Sequence, residues 1–142
     1  KAYSSFAKTP EIMLKRGFGN NLDEWLGSLQ YLVDYGVPEE KILLCERGSR
    51  SALSPQGVCL DLSLALQARR SSGRPVLIDP SHGTRERSLV LPMAHAALAM
   101  GFDGIMLEVH PRPDESVSDS QQAISLEDLG QFLTDQEFPR TI

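Results

Sequence analysis

Three residues of this chain have the types and settings that hold a divalent cation. They are His82 in Leu77-Ile78-Asp79-Pro80-Ser81-His82, Glu108 in Met106-Leu107-Glu108-Val109-His110-Pro111, and Asp119 in Ser118-Asp119. Each lies just past a short apolar run that reads as a β-strand, or in the loop after one, and the carboxyl ends of parallel strands are where an α/β barrel gathers its reactive groups. An imidazole with two carboxylates suits several borderline or hard ions, among them Mn²⁺, Fe²⁺, Co²⁺ and Zn²⁺, and a thiolate would tilt the choice. Such an ion acts as a Lewis acid, stabilising the negative charge that develops on a carbonyl oxygen under attack. Taken singly, each residue has a blander reading. A lone His after a strand is more often hydrogen-bonded or on the surface than a ligand, and a lone Glu or Asp says still less. Asp79 is placed to orient the loop or the metal shell. His110 adjoins the site and could touch water or substrate, whereas His95, within an Ala-rich helical run, reads as structural.

Positioning such a set takes repeated βα units, and the chain supplies four: short apolar runs alternate with stretches of helical period, the pattern of a parallel sheet. The first strand is Glu11 to Leu14, running into Lys15-Arg16-Gly17. Asn21 or Asn20 then caps a helix carrying Trp25, Leu26, Leu29, Leu32 and Val33, which Gly36 stops. The second strand, Lys41 to Cys45, leads to Glu46-Arg47-Gly48; after a Ser/Pro/Gly loop, Val58 to Arg70 reads as a helix closed by Gly73. The third strand, Pro75 to Ile78, ends in a loop from Asp79 to Thr84. A helix from about Ser88 to Met100 follows, with Gly101 as its stop. The fourth strand is Gly104 to Leu107. Beyond the loop from His110 to Ala123, Ser125 with Asp128 three residues on resembles a capping box that starts a short terminal helix through Phe132.

Four such units are half of an eight-stranded barrel, and a four-stranded parallel sheet has two unpaired edges. The expectations that follow are a second copy or another polypeptide completing the barrel, an open doubly wound sheet, or residues missing ahead of Lys1. The stretch Lys1 to Thr9, reading as a helix end or linker, favours incompleteness.

Composition narrows the class. With 142 residues, 41% hydrophobic and 23% charged, the chain is one globular domain's worth. Fourteen basic against 19 acidic side chains give a net charge of −5, which disfavours non-specific binding to nucleic acid or an anionic membrane. Clustered Arg and Lys can still hold a small anion locally. Cys45 and Cys59 are too few for a disulfide framework and lack C-x-x-C spacing, so a reducing cytoplasm is expected, and Cys45 reads as a small buried hydrophobe. No apolar run approaches the roughly 18 to 20 residues of a membrane span.

The ordered motifs Leu14-Lys15-Arg16-Gly17, Asp23-Glu24-Trp25, Leu43-Leu44-Cys45-Glu46-Arg47-Gly48, Asp79-Pro80-Ser81-His82, Leu107-Glu108-Val109-His110-Pro111 and Ser118-Asp119 resemble 3-deoxy-D-arabino-heptulosonate 7-phosphate (DAHP) synthase. The branch is the one related to 3-deoxy-octulosonate 8-phosphate synthase. The resemblance runs from about Glu11 to Leu129 and covers the C-terminal half of that family's barrel. It implies an α/β fold, a (β/α) half-barrel of four units, and a metal-dependent condensation of phosphoenolpyruvate with erythrose 4-phosphate at the entry to aromatic amino-acid biosynthesis. His82, Glu108 and Asp119 fall on the family's metal positions; its Cys ligand lies on the first barrel strand, outside the matched half, as do further phosphoenolpyruvate-binding arginines and the loop for the aldose phosphate. Cys45, on a different strand, does not replace that ligand.

The same resemblance places Lys15 and Arg47 as phosphoenolpyruvate contacts, which suits a compact ammonium and a guanidinium that binds phosphate in bidentate fashion. Arg16 and Arg50 are weaker anion contacts, and Arg85 and Arg87 are candidate contacts for the sugar phosphate; for all of them a solvated loop charge is the alternative. One departure from the family is Ser120-Gln121-Gln122, where a Gly-Pro-Gln type of turn is common. Three functions of different classes follow. The first is a synthase half acting with a complementary barrel half, the second a non-catalytic self-associating half-barrel that binds an anion or regulates a partner, and the third an α/β domain in which these polar residues serve only stability. Joint retention of Lys15, Arg47, His82, Glu108 and Asp119 argues against the third, because clustered strand-end charges need partners.

Overall fold

The structure, a computed structural model, describes residues 11–135. The expected linker Lys1 to Thr9 lies outside them. Four strands, β1 (Ile12–Lys15), β2 (Ile42–Glu46), β5 (Val76–Ile78) and β6 (Gly104–Ile105), form one parallel sheet in the order β1-β2-β5-β6. A two-residue hairpin, β3 (Ser49–Arg50) with β4 (Val58–Cys59), stands after β2. The helices are α1 (Leu22–Asp34), α2 (Leu62–Ser72), α3 (Pro80–Thr84), α4 (Arg87–Ala99) and α5 (Leu126–Asp135). Each sheet strand is followed by a helix, so the four expected βα units are present, and strand order follows chain order without reversal, as in half of a (β/α) barrel.

Side-chain parity explains what each strand does. Residues two apart share a face. On β2, Ile42 and Leu44 turn toward the helices and are at most 1% exposed; Leu44 joins Val76 and Ile78 of β5 under Trp25, Ala65, Ala68, Ala97 and Phe102, while Ile42 packs with Leu32 and Val37. The opposite face carries Met13, 38% exposed, with Leu43 and Leu77. Extending that parity one step puts Lys15, Cys45, Arg47 and Asp79 on the second face, and Arg16 and Glu46 on the helix side. Trp25 anchors α1 by packing in the core, and its indole N–H donates to Leu14 O at 3.3 Å. Its removal is worth about 3–5 kcal/mol by the usual cost of emptying a large aromatic site.

Most helix ends follow the expected signals, and the structure corrects the start of the second helix, the loop after β5 and the end of the fourth strand. Asn21, not Asn20, caps α1: it accepts from Glu24 N at 2.9 Å while Glu24 returns the bond to Asn21 N, also at 2.9 Å. Asn20 instead accepts from Gly17 N in the preceding turn. Ser125 and Asp128 form the same reciprocal pair ahead of α5, and the Ser125 bonds hold the Asp128 carboxyl below its ordinary range. Gly73 ends α2 in the left-handed conformation. The helix expected from Val58 begins only at Leu62, because Val58 and Cys59 pair with Ser49 and Arg50 and Asp61 caps the helix through Leu64 N. The expected loop from Asp79 to Thr84 is the short helix α3, and the fourth strand stops at Ile105 rather than Leu107. Among the described residues, no helix is long and apolar enough to cross a membrane.

Candidate functional site

Hydrogen bonding continues one residue past the ends of β1, β5 and β6: Arg16 N donates to Cys45 O, Asp79 N to Glu46 O, and Met106 N to Ile78 O, at 2.8 to 2.9 Å. The residues following the strands are therefore held at one level by the sheet itself. Lys15 Nζ lies 3.6 Å from Asp79 Oδ2, across β2. Asp79 is fully buried and caps α3 by accepting from His82 N at 3.0 Å. The same carboxylate meets His82 Nδ1 at 2.8 Å, which leaves Nε2 turned outward.

Nε2 faces two more acids, Glu108 Oε1 at 3.7 Å and Asp119 Oδ2 at 4.0 Å. One donor atom from each of His82, Glu108 and Asp119 lies within 4.8 Å of the others. Ligands about 2.0–2.2 Å from a common ion stand roughly 3 to 4 Å apart, so the set fits a divalent cation after little adjustment. Asp79 supplies the carboxylate behind the imidazole that metal-ligating histidines usually have, fixing tautomer and ring orientation.

Glu108 and Asp119 come from segments the chain pins down locally. Glu108 N donates to the buried Ser81 hydroxyl at 3.0 Å, and Ile124 N donates to Glu108 O, a parallel bridge that closes the loop between them. Asp119 sits at φ 56°, a left-handed conformation that Asp tolerates better than most residues, and its Oδ1 accepts from Gln122 Nε2 at 2.7 Å. Arg87 ties this loop to α4: its backbone N–H donates to Gln121 O and its guanidinium to Ser120 O and Asp114. Arg87 is thus a structural clamp, a correction to its reading as a sugar-phosphate contact.

Arg16 is likewise corrected. It is 4% exposed and paired with fully buried Glu46 at 2.8 Å, on the helix side that parity dictates. Glu46 also accepts from Gly48 N at 2.9 Å and Asp61 N at 3.3 Å, so one carboxylate holds the turn that carries Arg47. Burial pushes the Glu46 carboxyl up, opposed by Arg16. Gly48, at φ 82°, is required there, since a Cβ would stand 2.8 Å from Gly83 Cα. Arg47 keeps its charge available: its Cζ lies 4.2 Å from the centre of the Phe18 ring, and among the described residues its Nε has no hydrogen-bond acceptor. Arg85, exposed, reaches the same ring at 5.5 Å.

Cys45 lies beside Lys15 in the β1–β2 register and is wholly buried, as expected of a small hydrophobe. Burial, reinforced by the Asp79 charge, pushes its thiol up to about 12. His95 packs edge-on against Phe132, 4.9 Å between ring centres, and His110 Nδ1 lies 3.1 Å from Arg112 N and thus engages that residue's backbone. Sequence reading had no role for Phe18, Glu46 or Ser81. The alternation that sets Glu46 against Arg47 was the available signal for the second; the other two depend on loops meeting in space.

A parallel sheet with a helix after each strand, in chain order, defines the class as that of (β/α)-barrel proteins, and the His, two carboxylates, Lys and Arg at its carboxyl end are a candidate site for a metal and an anion. The chain belongs to the DAHP synthetase I family, whose profile matches residues 5–138. It is 42% identical over 116 residues to phospho-2-dehydro-3-deoxyheptonate aldolase of Thermotoga maritima, covering 82% of this chain and 34% of that protein. It is 30% identical over 138 residues to 2-dehydro-3-deoxyphosphooctonate aldolase of Aliivibrio fischeri, covering 89% of this chain and 45% of the relative. The crystal structure of the Thermotoga maritima DAHP synthase superposes with a TM-score of 0.84 at 37% identity, over 92% of this chain and 38% of that one. A truncated form of the same enzyme gives 0.84 at 38% identity over 92% and 48%. The chain therefore spans between a third and a half of the length of these relatives.

Proposed function

We propose that this chain carries the metal-binding and part of the phosphoenolpyruvate-binding machinery of a DAHP-synthase-type transferase, acting with a complementary barrel half supplied by another chain or by residues outside this sequence. The reaction is the condensation of phosphoenolpyruvate, erythrose 4-phosphate and water to a seven-carbon keto acid phosphate and inorganic phosphate, serving aromatic amino-acid biosynthesis in the cytoplasm. The observation that carries the reading is the convergence of His82, Glu108 and Asp119 within 4.8 Å, backed by Asp79 and flanked by Lys15.

A divalent ion held by those three side chains would supply Lewis acidity to the aldehyde carbonyl while carbon 3 of phosphoenolpyruvate attacks it. Lys15 offers a point charge, and Arg47 a planar fork, to the phosphate and carboxylate of phosphoenolpyruvate. Asp79 keeps Lys15 and His82 in register, because one buried carboxylate meets both. Its bond to Nδ1 directs the Nε2 lone pair at the metal position and keeps the ring from turning.

The test is product formation from phosphoenolpyruvate and erythrose 4-phosphate with added Mn²⁺, on the chain alone and fused to the N-terminal part of a relative's barrel, with Mn²⁺ binding measured in parallel. Turnover in either form, abolished together with Mn²⁺ binding by His82→Ala in a protein of unchanged circular dichroism, is the expected result. Mn²⁺ affinity unchanged by His82→Ala would sink the metal assignment. Mn²⁺ binding without turnover in either form would point to a binding role.

A further inference from the structure

Arg87 is the first residue of α4, a position where helix electrostatics argue against an arginine. The positive end of the helix dipole disfavours a cation in the first turn, and the first turn of α4 contains no acidic residue to offset it. Glu86, at the cap position, makes no side-chain bond to the helix. Residue 87 instead turns both backbone and side chain to the loop that carries Asp119. Its N–H donates to Gln121 O at 2.9 Å, and Nη2 donates to Ser120 O at 2.6 Å and to Asp114 Oδ1 at 2.7 Å. Its Nε is buried and has no acceptor among the described residues. An unpaired buried donor costs free energy, so the guanidinium is placed for the loop and not for its own solvation.

We propose that Arg87 is a positioning residue of the metal site: it holds Ser120 and Asp114 against α4, so that Asp119 is presented to the ion beside His82 and Glu108. This role rests on the metal assignment proposed above and acts through the backbone of the loop. The segment from His110 to Ala123 is closed at its base by the Val109–Ile124 bridge. Asp119 lies inside it, and a loop of that length has conformations to lose when one side chain must be fixed. Two contacts fix it in advance. Gln122 Nε2 holds Oδ1 at 2.7 Å, which leaves Oδ2 as the atom 4.0 Å from His82 Nε2. Arg87 holds the next two carbonyls, Ser120 O and Gln121 O. His82 sits on α3, directly before α4 in the chain, so the clamp joins the supports of two ligands into one unit. Preorganisation of this kind lowers the ordering cost of binding. The left-handed backbone of Asp119, at φ 56°, is the part free to relax once the clamp is gone, because such a conformation persists only where its surroundings enforce it.

Charge and positioning predict opposite signs. A guanidinium near a divalent cation repels it, so by Coulomb's law alone removal of Arg87 tightens metal binding. Release of Asp119 weakens it. Lysine keeps the charge, but its ammonium stops short of where Nη2 lies and hangs on a more flexible stem.

The experiment is isothermal titration of the 142-residue chain with Mn²⁺, comparing wild type with Arg87→Gln, Arg87→Lys, His82→Ala and Arg69→Gln, each checked by circular dichroism. Arg87→Gln is expected to weaken Mn²⁺ about tenfold or more, the scale that outer contacts of a metal site usually carry, and Arg87→Lys by a smaller factor. Arg69→Gln removes an ion pair to Asp103 from a side chain about as exposed as that of Arg87, and is expected to leave Mn²⁺ affinity unchanged. Amide hydrogen exchange read by mass spectrometry supplies a second readout. Gln122 N and Ala123 N, both bonded to Asp119 O, should exchange faster in metal-free Arg87→Gln than in wild type, and Mn²⁺ should restore their protection. Mn²⁺ affinity equal to or tighter than wild type in folded Arg87→Gln overturns the positioning role, even where His82→Ala abolishes binding and the metal assignment stands. An equal loss in Arg69→Gln marks a general effect of surface charge and overturns it too. If Arg87→Gln does not fold, Arg87→Lys decides: weaker binding supports the clamp, and wild-type affinity overturns it. Mn²⁺ affinity unchanged in His82→Ala overturns the metal assignment and the positioning role with it.

Discussion

Asp79→Asn tests whether His82 is prepared as a ligand by the carboxylate behind it. The substitution preserves shape, and the retained carbonyl oxygen can go on capping α3 through His82 N. The carboxylate now offers two oxygens to Nδ1, at 2.8 and 3.0 Å, and an amide replaces one of them with a donor. With the shorter contact turned into a donor, the Nδ1–H tautomer keeps only the neutral carbonyl oxygen at 3.0 Å as acceptor, so the balance shifts toward the tautomer whose proton sits on Nε2 and occupies the lone pair that would meet the metal. Lys15, 3.6 Å away, also loses its counter-charge. Losing a carboxylate behind a ligating His usually costs 10–100-fold in metal affinity, or about 1.4–2.7 kcal/mol. Isothermal titration with Mn²⁺, on wild type and Asp79→Asn at the same pH, reads this directly, with circular dichroism as the check on folding. Mn²⁺ affinity within about twofold of wild type in a folded variant would refute the argument that Asp79 sets the imidazole.

Two predictions concern groups on either side of the sheet. Arg16→Met leaves Glu46 buried with only the Gly48 and Asp61 N–H groups as partners, and should destabilise the fold by about 3–5 kcal/mol in urea unfolding. Burial raises the Glu46 carboxyl above its ordinary 4.5, so in that window the folded state holds the extra proton and stability falls as pH rises through it. Without Arg16, which lowers that carboxyl, the window widens upward and the slope should extend to higher pH; identical pH profiles would contradict this. The Cys45 thiol, pushed up to about 12 and wholly buried, should resist iodoacetamide in the native protein while exposed Cys59 reacts. Mass spectrometry should count one label natively and two in urea; rapid native labelling of both would refute the burial.

The four βα units were legible because apolar runs, capping residues and glycine stops act over a few residues: Asn21 with Glu24, Ser125 with Asp128, and Gly73 after α2 each settle an end locally. That His82 and Glu108 come together was legible for a related reason, since residues soon after a parallel strand are delivered to the sheet's carboxyl end, whereas Asp119 reaches them only through the folding of its loop. The β3–β4 hairpin was not, because its two residue pairs join positions eight and ten apart, and Val58 fits a helix's apolar stripe equally well.

Among the arginines, residue type alone made Arg16, Arg47, Arg50, Arg85 and Arg87 equivalent. Tertiary structure separated them: Arg16 is spent on Glu46, Arg87 on the Asp119 loop, and Arg47 and Arg85 are stacked at Phe18. Local pattern thus determined the elements and the order of reactive residues along them, since both follow from short-range sterics and hydrogen bonding. Which charges remained free for a ligand was decided only when distant loops met, because a guanidinium's availability depends on whether folding brings a carboxylate within reach.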